Sequence, residues 1–235
     1  MKTINEITKK ELAIFKRIDK DCLNMHVMPP SKTFFKIETF EDGKKTLVYD
    51  GISKTWVRNN YNFMVSQQMG LNTDTLGTAY EAGSIAIKNI AGVVVAGSSH
   101  TFYVPTYGAG WGFRGAAGST NSGIVVGTGS GAESFEGYAL GTLIVNGSGS
   151  GQMDYAAQDA LTATWSSGTK KFTQTIERFI NNNSGGSITV NEIGLHLAGV
   201  IGYYMMSRDL LASPVTVGNT VQLKVTYTIE TTYPE

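Results

Sequence analysis

Residues 221–233 read VQLKVTYTIETTY, and the fold follows from how this stretch is read. In an extended chain Val221, Leu223, Val225, Tyr227 and Ile229 share one face, while Lys224, Thr226, Thr228 and Glu230 share the other. A strand with one apolar and one polar face belongs to an antiparallel sheet that covers a core on one side only.

Working back along the chain, similar runs occupy 203–211, 187–197, 171–181 and 159–165, and shorter apolar runs lie at 122–127, 99–104 and 84–96. Gly and Ser clusters separate them, and no amphipathic helix intervenes after residue 84. Many short strands with turn residues between them predict a mainly β protein, an antiparallel β-sandwich of jelly-roll or Ig-like type.

The segment GIVVGTGSGAESFEGYAL (123–140) tests this reading, because Gly127, Gly129 and Gly131 resemble the start of a phosphate-cradling loop. A dinucleotide fingerprint needs a helix directly after its glycines, with the pyrophosphate at the helix N-terminus. Here the continuation is broken by Gly137, Gly141, Gly147, Gly149 and Gly151, so no cofactor is expected. The glycines are read instead as sharp bends and as sites of close backbone approach at a subunit contact.

Towards the N-terminus the pattern turns partly helical. Ile7, Leu12, Phe15 and Ile18 have mostly helical spacing among Lys9, Lys10, Lys16, Arg17 and Lys20, which predicts a short amphipathic helix over residues 5–20 whose basic side is solvated or docks on an acidic neighbour. Pro29 and Pro30 end it. Residues 33–50 alternate around Asp42-Gly43 and predict a β-hairpin. A second helix is expected at 53–69, with Ser53 as N-cap, Gly70 past its end, and Trp56, Val57, Tyr61, Phe63, Met64 and Val65 as a core stripe. The expected organisation is a docking segment over 1–30 and a single sandwich domain over 31–235 carrying that helix as an insertion.

Composition narrows the function. Lys plus Arg and Asp plus Glu number 19 each, so no net field draws the chain to nucleic acid or an anionic membrane. The lone Cys22 excludes an internal disulfide framework, and with only His26, His100 and His196 beside it no closed zinc site is expected. The first 20 residues lack a signal peptide's uninterrupted apolar stretch, and no window is apolar enough for a membrane span, so synthesis without export is expected. Glu133 and Glu136 flank Ser134 and Phe135 without a second catalytic group, and no nucleophile elbow occurs, so no enzyme is expected.

Three charges interrupt otherwise apolar strands: Glu192, Arg208 and Asp209. They are candidates for a buried or interfacial ion pair, with two unrelated surface charges as the alternative. His196, in GLHL, is expected to be a satisfied core or edge histidine.

The C-terminal third carries the string RFINNNSGGSITVNEIGLHL (178–197), followed by YYMMSRDLLASPVTVGNTVQLKVTYTIETTYP (203–234). This resembles a pattern found in structural proteins of tailed-bacteriophage virions, and VVGTGSG, YAL and WVRNNYNFMV upstream are similar to it as well. The resemblance implies a non-enzymatic auxiliary or decoration component of the capsid or portal–collar region, with a tail or tail-fibre component as the alternative. It implies a homo-oligomer located in the virion and bound to other capsid, portal or tail subunits. Glu192, Gly194, Arg208, Asp209, Pro214 and Tyr227 become fold or interface positions. A reading from a different class is a carbohydrate-binding module, with Tyr103, Tyr107, Trp111 and Phe113 of YVPTYGAGWGFRG stacking on host glycans; the same aromatics serve equally as interface anchors.

Overall fold

A computed structural model describes residues 9–25, 30–69, 79–80, 84–95, 112–158, 161–199 and 202–233. The final strand, β11 (Gln222–Thr232), lies inside the larger sheet between β1 (Lys32–Glu41) and β8 (Lys171–Asn181). β2 (Lys44–Ser53) extends that sheet beyond β1, and β6 (Asp154–Tyr155) and β7 (Thr162–Ser166) both pair with the free edge of β8. The smaller sheet runs β10 (Gly202–Val217), β9 (Ile188–Gly199), β5 (Gly123–Gly127), and β3 (Ile87–Lys88) with β4 (Val94–Val95) forms a separate ladder. The pairings are antiparallel throughout these sheets, so the expected mainly β sandwich is what the chain forms.

The apolar parity of β11 faces inward. Leu223, Val225 and Tyr227 meet Ile37 of β1, Ile176 and Ile180 of β8, and Ile124, Val126, Ile193 and Leu195 of the smaller sheet in one buried cluster. The outward parity is polar and paired: Lys224 with Glu177, and Lys171 with Glu230, both at 2.8 Å. A second cluster forms around Phe63, Ile87, Leu197, Tyr204 and Met206.

The hairpin at 33–50 forms as read, with Asp42 at φ 48° and Gly43 at φ 75°. Two consecutive positive φ values define the tight turn whose twist suits antiparallel strands. The helix α1 (Lys9–Asn24) rests on the outer face of the hairpin sheet. Phe15 meets the Phe34 ring edge-on at 6.2 Å, Asp19 pairs with Lys32, and Glu11 pairs with Lys54 at 2.9 Å.

The helix α2 (Arg58–Met69) departs from its sequence reading in two ways. It begins five residues after Ser53, which ends β2 and donates its hydroxyl to the buried Asp209 carboxylate instead of capping a helix. The backbone N–H of Arg58 is taken by the Phe135 carbonyl at 2.7 Å. The apolar stripe is also largely inverted. Val57 and Phe63 are buried, but Tyr61, Met64 and Val65 face outward and Asn59, Asn62 and Ser66 face inward. The cause is the backbone at 84–88, which passes beneath the helix and needs partners. Asn59 bonds both the N–H and the carbonyl of Lys88, at 2.9 and 2.8 Å, and Asn62 donates to the Ala86 carbonyl at 2.7 Å.

The Asp42-Gly43 turn gives a clean test, because nothing stands within 4 Å of where a Gly43 Cβ would lie. Gly43→Ala is expected to lower the unfolding free energy by about 1 kcal/mol, through backbone conformation alone. Urea unfolding of the two chains checks it.

Candidate functional site

Strand alternation places Arg208 and Asp209, neighbours on β10, on opposite faces of the smaller sheet. Arg208 turns to the outer face and meets Glu192 of β9, its Nε donating to Oε2 at 2.6 Å, with the Glu192 side chain fully buried. The remaining lone pairs of that carboxylate accept backbone N–H groups from Gly129 at 3.0 Å, Thr142 at 2.9 Å and Gly141 at 3.1 Å. Arg208 reaches further, to the carbonyls of Ala132 at 3.0 Å and Gly131 at 2.9 Å. The loop 128–142 is therefore wrapped around one buried ion pair.

This arrangement explains the glycine ladder. A Cβ on Gly129 would stand 2.4 Å from Glu192 Oε1 and 2.8 Å from the Thr142 nitrogen, and one on Gly127 would stand 2.6 Å from the same Oε1. The close approach that these two glycines permit is to a carboxylate of the same chain, not to a phosphate. Gly131 has nothing within 4 Å of its Cβ position and contributes its carbonyl instead.

Asp209 turns to the inner face. Its Oδ2 accepts from Ser53 at 2.8 Å, Tyr227 at 3.0 Å and Ser207 at 3.1 Å; its Oδ1 accepts from Thr55 at 2.9 Å and the Lys54 N–H at 3.2 Å. No cation faces it among the described residues. Burial pushes its carboxyl above the ordinary 3.8, against the pull of the surrounding hydroxyls. The hydroxyl cage joins β2 and β11 of one sheet to β10 of the other.

A further buried charge lies outside the three that the sequence reading names. Arg178 of β8 is completely enclosed and donates to five backbone carbonyls, those of Ala116, Ser119, Ser122, Ile124 and Ala156, at 2.8 to 3.1 Å. Its guanidinium lies 4.8 Å from the centre of the Tyr155 ring, and burial pulls it down to about 10. Its signal was present: in TIERFIN it shares the inward parity of Ile176 and Ile180.

Glu192, Arg208 and Asp209, expected as a fold or interface group, are thus cross-links inside this chain, with the first two forming the buried ion pair. Phe113 is half-buried and packs against both apolar clusters. Tyr103, Tyr107, Trp111, His26 and His100 lie outside the described residues. His196 is a core histidine lying against the backbone of Thr120 and Asn121, and burial pulls it down to about 4. Among the described residues neither of its ring nitrogens meets strict hydrogen-bond geometry. Glu136 is held by Arg58, and Glu133 accepts the Leu210 N–H at 2.6 Å. A pocket of about 420 Å³ opens between the end of α1 and the β7–β8 turn, with Lys170 as its charged residue. Among the described residues, no cluster of His, Cys, Asp or Glu is placed to hold a metal, and no helix is long and apolar enough to cross a membrane.

No family model matches the chain, and neither the curated proteins nor the solved structures contain a match to it.

Two outcomes follow from the buried charges. Glu192→Gln keeps the side-chain size but leaves Arg208 unpaired and turns one acceptor into a donor facing N–H groups. It is expected to destabilise by about 3–5 kcal/mol in guanidinium unfolding, as breaking a buried pair from one side does. For Asp209 the raised carboxyl means that the native state retains a proton the unfolded chain has released. Its contribution to stability is therefore greatest at or below the ordinary 3.8 and falls as pH rises through the interval up to the raised value. The unfolding free energy of the native chain, minus that of Asp209→Asn, is expected to decline with pH across that interval; a flat difference would contradict the assignment.

Proposed function

We propose that this chain is a non-enzymatic structural component of a tailed-phage virion, an auxiliary or decoration subunit of the capsid or portal–collar region that works through subunit contacts. One observation carries the reading. The charged side chains that interrupt the strands (Arg178, Glu192, Arg208 and Asp209) are enclosed and cross-link strands and loops of the same chain, while large apolar side chains stand outside on α2 and the 133–138 loop. Chemistry on small molecules calls for reactive groups open to a cleft, whereas a subunit of a particle calls for a rigid body with apolar contact surface. The resemblance of residues 176–230 to virion structural proteins supports the same direction. The carbohydrate-binding reading draws nothing from Phe113, whose ring packs inward.

An antibody raised against the purified chain tests the proposal on phage particles from its source, split into tail-less heads and free tails. The chain is expected in the head fraction. Its appearance with tails moves the assignment to the tail, and its absence from both overturns it. A glycan array separates the other class, since saturable binding that disappears in Trp111→Ala is expected only of a receptor module.

A further inference from the structure

A helix that lies on a sheet ordinarily turns its apolar side inward and its polar side to water. α2 does the reverse over much of its length: Tyr61 is 50% and Met64 49% exposed, and Val65 is beside them, while two asparagines and a serine face in. The 133–138 loop adds Phe135, also 50% exposed, and Tyr138. These side chains form one connected patch. The Tyr61 and Phe135 ring centres are 5.7 Å apart, and the Arg58 guanidinium stands 5.0 Å from the Phe135 ring. The Lys88 ammonium lies 4.6 and 4.8 Å from the rings of Tyr80 and Tyr138. Single exposed apolar residues are ordinary, but a contiguous group rimmed by charge marks a contact surface.

The charges of the patch indicate its occupant. Glu136 is half exposed and holds Arg58 through two hydrogen bonds, one of them 2.7 Å between Arg58 Nε and Glu136 Oε2. Lys88 lies near enough to favour the ionised Glu136, yet no carboxylate lies within ion-pair distance of its ammonium among the described residues. One surface thus presents a half-buried lysine whose ammonium lies against two tyrosine rings with no carboxylate at ion-pair distance among the described residues and, beside it, a half-exposed carboxylate. A two-fold contact requires this kind of self-complementarity, because each copy must offer what the other lacks. A patch of a single sign would repel its own copy.

The geometry points to a second copy of this chain as the occupant, seated patch to patch about a two-fold axis. Tyr61, Met64 and Phe135 of the two copies pack at the centre, and Lys88 of each copy meets Glu136 of the other. Aromatic residues, Met and Arg are the types that concentrate binding energy at the middle of such contacts. The inference rests on the subunit-contact reading above and names the surface that serves it.

Sedimentation velocity of the full chain between about 1 and 100 µM tests it, a range that brackets micromolar dissociation constants. A monomer–dimer equilibrium is expected. Phe135→Ser and Met64→Ser should each raise the dissociation constant about tenfold or more, with the unfolding midpoint held near that of the native chain as the control for folding. Lys88→Glu and Glu136→Lys should each abolish the homodimer, since like charges then face across the axis. Mixing those two variants should restore a dimer, because both crossed pairs become attractive. A monomer at every concentration, an oligomer indifferent to these substitutions, a ring in place of a dimer, or a mixture that fails to associate would each overturn the proposal. A monomer that still partitions with phage heads removes the self-contact alone, and a dimer absent from particles removes the virion reading alone.

Discussion

Everything around the smaller sheet is arranged by one constraint: the Glu192 carboxylate sits where water does not reach. A buried carboxylate must be given donors on every side or its desolvation goes uncompensated. Arg208 supplies charge, and the loop 128–142 supplies three backbone N–H groups. Backbone can come that close only where no side chain intervenes, which dictates Gly127 and Gly129. The loop's shape is thus a consequence of the acid beneath it. Because Arg208 adjoins Asp209, the same dipeptide that anchors the loop on one face also ties the opposite sheet on the other, through Ser53, Thr55 and Tyr227.

Three of the buried charge sites are stabilised in three different ways. Glu192 has an ion pair reinforced by amides, Arg178 has five carbonyl dipoles and a tyrosine face, and Asp209 has hydroxyls and one backbone N–H. Such groups add little net stability over well-packed apolar side chains, because desolvation offsets most of the attraction. They do penalise every alternative register, since a slip of one residue would carry each charge to the wrong face of its strand. In a sheet as rich in threonine and glycine as this one, where side-chain shape distinguishes registers weakly, we regard that as their contribution.

The strands and the hairpin were legible in the sequence because each depends on neighbours one or two residues away: alternation in 221–233, and two residues free to take positive φ at Asp42-Gly43. The polar sites were legible only in part. Glu192 and Arg208 stood out as interruptions, but the partners that give them meaning lie 50 to 77 residues away in the loop 129–142. Ser53 looked like a helix cap because nothing local distinguishes a capping serine from one donating to a carboxylate 156 residues on. The inverted face of α2 has a related cause. Hydrophobic periodicity assumes that an asparagine prefers water, whereas Asn59 and Asn62 bond backbone groups of Lys88 and Ala86 that only a folded chain brings beneath them.

The interior sites and the exposed patch are also mechanically joined. Trp56 bridges to Ser207, and the Val57 N–H is held by the Met206 carbonyl at 3.0 Å, so α2 starts directly from the strand that carries Arg208 and Asp209. The 133–138 loop is pinned from the same strand through the bond between Glu133 and the Leu210 N–H, and from the helix through the bond between the Phe135 carbonyl and the Arg58 N–H. Tyr61 and Phe135 are therefore fixed relative to each other within the single chain. A surface that is already ordered loses little conformational freedom when it is covered, so more of its apolar contact appears as affinity. By holding one register and one loop shape, the buried acids decide where the aromatic side chains outside them stand, and so set the shape of the surface proposed for a second copy.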